Sequence, residues 1–378
     1  MKINYILSDT TKGATTAALQ NVIKKAEANL FNDYVVIVPE TKSIIVEKEL
    51  LSLSKNKAFA NIYVYSFVRL INRLGFVPAE KTMSKQVCIL LLRKIIYDNY
   101  ENLKCYKKTA KTIGFAEKIY ETIAQFKSSG VSVDDLKLSL ETKAESLKAK
   151  LEDIVLLYEE YEKVLGEDHF DDLDKLALIS KFAKTNEFIK NAEIFVVGFD
   201  NITYEMVSVL KDLSTHSKEI TFSCVYFNEN REDKHIQTNE LYSKFKRIAD
   251  ELKYPYVPTF VKTKSSGDFY NIQNYLFAKK QKTVASKGDV EVFEAKNKNQ
   301  EIDALASKIF FEVESGKKYR DIGVYACDLE DSKDLIKEIF GEYNIPYFIN
   351  ESHDISSHFF VKFLMGAFEL VLTNCSAE

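Results

Sequence analysis

The run YVVIV at Tyr34–Val38 is apolar at every position and stops at Pro39. A strand that is apolar at odd and even positions alike has no face to give to water, so it belongs inside a sheet covered on both sides. Its neighbours repeat the pattern: Ile3–Leu7 and Ile62–Tyr65 are expected strands, and Thr15–Phe31 and Ser43–Leu53 are amphipathic and expected to be helical. Strands and helices that alternate in this way build a doubly wound parallel α/β domain.

From about Ser84 to Leu165 the strands vanish, and long helices are expected at Lys85–Tyr100, Ala110–Ser128 and Lys143–Leu165. In the last of these, Leu147, Leu151, Ile154, Leu157, Tyr158 and Tyr161 form an apolar stripe at helical spacing, which is a core face. This block is expected to be an all-helical insertion. Strand pattern resumes at Ala192–Val197, followed by the turn Gly198-Phe199-Asp200-Asn201, a helix at Thr203–Leu213 and a strand at Glu219–Val225. Residues Lys279–Lys287 are polar, basic and unpatterned, as a linker is. A fresh β-α-β-α-β-α series then follows: Val290–Phe293, Glu301–Glu314, Ile322–Ala326, Ser332–Tyr343, Tyr347–Ile349 and Phe359–Leu372. Three strands are few for a doubly wound sheet, so the second domain is expected to be truncated at a domain junction. The chain of 378 residues exceeds what one core supports. The expected divisions are 1–80 and 169–280 for the first α/β domain, 81–168 for the helical insertion, and 288–378 for a partial second domain.

Charge and side-chain chemistry exclude several classes. A net charge of −4 gives no overall attraction to nucleic acid, so contact with it must come from local patches or a partner. Lys104, Lys107, Lys108 and Lys111 make one such patch, which reads as a solvated helix face. The five cysteines, Cys88, Cys105, Cys224, Cys327 and Cys375, form no C-x-x-C pair. That argues for a reducing, cytoplasmic setting, without a disulfide frame or a metal cluster made by this chain. The histidines His169, His216, His235, His353 and His358 are dispersed, and His353 and His358 are spaced wrongly for one helix face. No signal pattern or membrane-spanning run is present, so no membrane partner is expected.

The first loop, SDTTKGATT at Ser8–Thr16, sits where a phosphate-binding loop would. A working one reads G-x-x-x-x-G-K-[ST] between strand and helix. Gly13 matches the second glycine and Thr15 the hydroxyl, but Ser8 stands for the first glycine and Ala14 for the lysine. Without that cation the β/γ-phosphate charge is uncompensated. Ser8, Gly13, Ala14, Thr15 and Thr16 are thus the candidates for a degenerate nucleotide site that binds weakly and does not turn over. Further on, a working phosphate-loop enzyme would carry acids at a strand end to hold magnesium, roughly as V-D-E-F-Q-D. The aligned residues are Val196, Val197, Gly198, Phe199, Asp200 and Asn201, with Asp200 expected to cap the next helix.

Two α/β units, the first with a phosphate-loop-like start and a helical insertion, are arranged as in superfamily 1 helicases. Four strings narrow the likeness: IVPETKSIIVEKELL (Ile37–Leu51), VYSFVRLINRLG (Val64–Gly75), LKAKLEDIVLLYEEYEKVL (Leu147–Leu165) and FVVGFDNITYEMVSVLKDL (Phe195–Leu213). With EVFEAKNKNQEIDALASKI, YRDIGVYACDLEDSKDLIKEIFGEYNIPYFI and HDISSHFFVKFLMGAFELV downstream, the chain resembles, along nearly its whole length, the N-terminal helicase-like region of the AddB/RexB family. That family supplies the B-type subunit of an ATP-dependent helicase/deoxyribonuclease for double-strand break processing and recombinational repair.

The resemblance implies two RecA-like, P-loop NTPase-type domains, a partner motor/nuclease subunit of the AddA/RexA type, and contact with single- and double-stranded DNA. It places ATP and magnesium in the partner motor, and an iron–sulfur cluster and nuclease metal in a later part of the family's chains, leaving no cofactor here. By the same resemblance, the loops after the second and third strands belong to a single-strand channel that in some members reads a recombination hotspot. Thr41 and Ser43 of the first loop can hydrogen-bond phosphate or base; Phe67 of the second can stack a base, beside Arg69 and Asn72. Thr41 replaces a frequent glutamine and Asn72 a common aromatic. The expected function is an inactivated helicase-like DNA scaffold; the alternatives are an active superfamily 1 ATPase and a purely structural assembly component that touches no DNA. Asp289 with Glu294-Ala295-Lys296 has the D…E-x-K spacing of a metal nuclease, but the resemblance assigns that strand to scaffold.

Overall fold

The computed structural model describes residues 2–75, 82–112, 114–140, 145–166, 170–171, 174–226, 238–262, 267–275, 283–349 and 355–373. The chain divides into two compact units, Met1–Lys287 and Gly288–Glu378. The first begins with β1 (Lys2–Ser8), α1 (Thr11–Ala28), β2 (Asp33–Ile37), α2 (Ser43–Leu53), β3 (Ile62–Tyr65) and α3 (Phe67–Leu74). Next come β4 (Thr82–Met83), α4 (Lys85–Asp98), α5 (Phe115–Ser128), α6 (Val133–Ser139), α7 (Glu145–Leu165) and β5 (Phe170–Asp171). It closes with α8 (Lys175–Ala183), α9 (Glu187–Asn191), β6 (Ala192–Val196), α10 (Tyr204–His216), β7 (Glu219–Val225), α11 (Thr238–Leu252), β8 (Tyr256–Val261) and α12 (Asp268–Tyr275).

Six strands form one parallel sheet in the order β3-β2-β6-β7-β1-β8. The two-faced apolar strands do what their pattern requires. Val35 and Ile37 of β2 join a core with Leu7, Val196 and Phe222, while Tyr34, Val36 and Val38 join a second core with Leu19, Val22 and Phe195 on the other face. Each fully buried Val, Ile, Leu or Phe contributes about 1.5–3 kcal/mol. Strand β8 is not among the strands expected from the sequence; it carries Pro258 and lies at the sheet edge, where a proline's missing donor is tolerated.

Helices α4, α5, α6 and α7 share a separate core built on Leu92, Ile119, Ile123, Leu157 and Tyr161. The stripe on α7 is core as expected at Leu157, Tyr158 and Tyr161, whereas Leu147 is exposed. Helix α5 starts at Phe115 rather than Ala110, so Lys104, Lys107, Lys108 and Lys111 lie on a loop, not a helix face. The reason is a buried carboxylate. Asp153 of α7 accepts the backbone N–H groups of Lys104, Cys105 and Tyr106, each at 2.8 Å, and so fixes that segment as a turn around it.

In the second unit, α13 (Lys298–Glu314) and α14 (Lys333–Glu342) pack through Ile302, Ala306, Ile309, Ile336, Ile339 and Phe340. The expected strands Val290–Phe293, Ile322–Ala326 and Tyr347–Ile349 do not form: the described residues of this unit make no strand pair, so the expected second doubly wound sheet is absent from them. A strand is stabilised by its ladder and by cover on its faces. Here Val292, Tyr325 and Phe348 stay open to solvent. Helix α15 (Phe359–Leu372), although mostly apolar, buries none of its side chains.

Candidate functional site

Ligands of open parallel sheets gather at the carboxyl ends of the strands. At the end of β1 the chain turns into α1 through Asp9 and Thr10 alone. Thr10 is the N-cap: its Oγ1 accepts from the Gly13 N–H and its carbonyl from the Ala14 N–H, both at 3.0 Å. The helix therefore starts at Thr11, four residues before the expected Thr15, because a threonine with an extended backbone caps it there. Gly13, Ala14, Thr15 and Thr16 lie on its first turns instead of in an open loop. Ala14 is buried, Thr16 Oγ1 donates to Glu49 of α2 at 2.7 Å, and Ser8, buried as the last residue of β1, donates to Asp9. The Gly13 N–H and the hydroxyls of Ser8 and Thr16 are thus spent within the fold.

The end of β6 carries a cation where magnesium-holding acids would be expected. Lys42 Nζ donates to the Gly198 carbonyl at 2.6 Å and to Asp200 at 2.7 Å. Gly198 takes a φ of +78°, which favours glycine, and a Cβ there would meet the Lys42 side chain at 3.5 Å. Asp200 does not cap α10. Thr203 does, accepting from the Met206 N–H, since it alone occupies the cap position.

The loops after β2 and β3 meet. Arg69 of α3, about half exposed, reaches Glu40 at 3.7 Å and Glu47 at 3.5 Å, joining the two loops. Thr41 and Asn72 are exposed, Asn72 one turn beyond Arg69. Two other candidates turn inward. Phe67 is buried and its ring lies 5.8 Å from that of Phe199, so it is a core aromatic rather than a stacking platform. Ser43 is fully buried with its hydroxyl unpartnered among the described residues. Sequence reasoning missed Lys42, Glu40 and Glu47 as partners; their only signal was membership of the same loop and following helix.

A second polar centre, also missed, joins the helical block to the sheet domain. Lys127 of α5 contacts Glu162 at 2.9 Å, Asp171 at 3.4 Å and Asp174 at 2.8 Å, and Tyr161 donates to Asp171 at 2.7 Å. Burial alone would lower the Lys127 pKa, but Asp171, Asp174 and Glu162 outweigh it and raise it above the ordinary value. Glu205 on α10 is pushed up to about 7, by burial first and then by Asp174.

Among the described residues no group of three or more His, Cys, Asp or Glu could hold a metal, and Glu294 and Lys296 are exposed in a segment that is not a strand. His358 caps α15, accepting from Phe360; His169, His235, His353, Cys375 and the first part of the linker, 279–282, lie outside the described residues. No described helix is long and apolar enough to cross a membrane.

Comparison with known proteins adds a family. The family model described as ADDB, N-terminal, matches residues 5–273. The B-type subunit of the ATP-dependent helicase/deoxyribonuclease of Clostridium botulinum strain Hall is 26% identical over 401 residues, which cover 100% of this chain and 34% of that protein. The protein of the same name from Acetivibrio thermocellus is 26% identical over 398 residues, covering 100% and 35%, and that from Bacillus subtilis strain 168 is 25% identical over 402, covering 100% and 34%. The chain spans about a third of the length of these curated relatives, from the 34–35% of each that it covers.

Proposed function

Because the chain belongs to the AddB N-terminal family, we propose that it is the helicase-like, DNA-holding part of the AddB-type component of a helicase–nuclease complex for double-strand break repair, and that it hydrolyses no ATP. In this reading the six-stranded sheet is a RecA-like domain of the superfamily 1 arrangement, and a partner of the AddA type supplies the motor. One observation carries it: at the two strand ends where a motor would hold triphosphate and magnesium, this chain has a buried Ala14 on an early-starting helix and the Lys42 ammonium paired to Gly198 and Asp200. An alanine cannot offset the charge that develops on a transferring phosphoryl group.

Holding a strand needs less. Exposed Thr41, Arg69 and Asn72 offer a cation and hydrogen-bonding groups on one edge of the sheet, and these are the positions through which a base sequence would be read. Phosphate contacts of this kind release counterions, so binding weakens steeply with salt.

The test is a DNA-stimulated ATP hydrolysis assay beside single-strand binding by the purified chain. The reading expects no hydrolysis, and salt-sensitive binding that Arg69→Ala weakens. Steady phosphate release would instead make the chain an active superfamily 1 ATPase. Absence of any DNA binding would make it a purely structural assembly component.

A further inference from the structure

The helical block carries a cavity of about 750 Å³ between the end of α4 and the loop that leads to α5. Arg93, Tyr97 and Asp98 of α4 line it, with Tyr100, Glu101 and Lys111 of the loop. Its chemistry is unlike the surface around it. Nearby Lys85, Lys104, Lys107 and Lys118 are each neutralised by a carboxylate, Glu117, Glu152, Glu101 and Glu121 respectively. Arg93 and Lys111, and Lys108 on the same loop, have no ion pair among the described residues, and all three are exposed. Tyr97 is 81% exposed, and Lys111 Nζ stands 4.7 Å from the centre of the Tyr100 ring, with Lys107 on the same ring at 5.4 Å.

These groups complement the parts of one nucleotide. Arg93 and Lys111, neither in an ion pair among the described residues, offer charged donors for a phosphate beside the lining carboxylates Asp98 and Glu101, and an exposed tyrosine offers a ring for an unpaired base. Asp98 is an acceptor that suits a base N–H donor, such as the N3–H of thymine. The loop is also anchored between its lining residues Glu101 and Ala110, where the Asp153 carboxylate ties the backbone of Lys104, Cys105 and Tyr106.

We propose that this cavity is a second single-stranded DNA contact, on the helical insertion and separate from the Arg69 loops, which takes one nucleotide unit with its phosphate on Arg93 and Lys111 and its base on Tyr97. The proposal rests on the DNA-holding function above, and the experiment separates the two.

Fluorescence anisotropy with a labelled oligodeoxythymidylate across a sodium chloride series is read for the full chain, for Arg93→Gln/Lys111→Gln, for Tyr97→Ala and for Arg69→Ala. Circular dichroism melts confirm that each is folded. The double variant is expected to bind about tenfold more weakly with a salt slope shallower by about 0.7, the loss of one phosphate contact on a single strand. Tyr97→Ala weakens binding about fivefold or more and Tyr97→Phe restores it, as loss and recovery of one stacked base require. Photo-cross-linking of an oligonucleotide carrying 5-iododeoxyuridine places the adduct on the peptide 95–104.

Wild-type binding that depends on Arg69 but is indifferent to the cavity variants overturns this site and leaves the function standing. No binding by the wild type overturns both. A calorimetric arm with free deoxynucleoside monophosphate distinguishes the source: if the cavity variants abolish free-nucleotide binding yet leave oligonucleotide binding unchanged, the cavity is a small-molecule site and the strand contact is wrong.

Discussion

The sheet domain and the helical block of the first unit are held by different forces. In the sheet domain both faces are sealed by apolar side chains, and Phe195, Phe222 and Phe245 are essentially inaccessible. The helical block has an apolar core as well, yet its long loop and its junction with the sheet domain hang on buried charge: Asp153 on three amides, and Lys127 among Glu162, Asp171 and Asp174. Apolar burial is spread over many contacts and is indifferent to pH, whereas a buried charge concentrates its effect in one residue and is costly when its partner is lost. The sheet is therefore a uniform platform, and the block is a part whose attachment single residues control.

Four substitutions sharpen or break this contrast. The largest effect belongs to the sheet: Phe222→Ala is expected to lower stability by about 3–5 kcal/mol, read as a fall in denaturant midpoint. Asp153→Ala comes next, at about 3 kcal/mol or less for three amides left without an acceptor. Hydrogen exchange should show its loss of protection at Lys104–Tyr106 while the sheet amides stay slow; equal loss in both would mean the two regions are one cooperative body.

Glu205→Gln tests the junction. With its pKa pushed up to about 7, the native carboxyl keeps a proton that an unfolded glutamate, near the ordinary 4.5, has released. The native state thus binds more protons between those values, and stability falls as pH rises through about 4.5 to 7. The amide cannot ionise, so the variant should melt roughly 2 °C higher than wild type at pH 8 and match it at pH 4. An unchanged pH profile would remove the burial argument. The smallest effect is at Lys42→Met, which breaks a partly exposed pair and should cost about 1 kcal/mol or less in a melt. It should also leave the chain without ATP hydrolysis, because the Ala14 position is untouched.

Much of the sheet domain was legible in the sequence because its signals are local. An all-apolar run such as Tyr34–Val38 reports a strand covered on both faces, and the helical stripe of α7 reports a core side at Leu157, Tyr158 and Tyr161. Where a local signal had a competitor, the expectation failed. Thr10 capped α1 early; Thr203, not Asp200, capped α10; and the apolar runs of the second unit found no ladder among the described residues. The candidate site was legible as a set of loops, but not in the orientation of its members: Phe67 and Ser43 point into the interior, and Arg69 is shared between Glu40 and Glu47.

Residue identity and spacing by themselves determined that the chain has a covered parallel sheet, a helical block within it, and an alanine where a phosphate-binding lysine belongs. Tertiary structure alone decided that Lys42 meets Gly198 and Asp200, that Lys127 gathers carboxylates from beyond its own helix, and that Tyr97 and Tyr100 line one cavity with Arg93 and Lys111. The physical reason is range. Helical and strand periodicity repeat within a few residues and are written in the sequence, while charge pairing joins positions more than 150 residues apart, as Lys42 and Asp200 are, and depends on the order in which the strands are laid down.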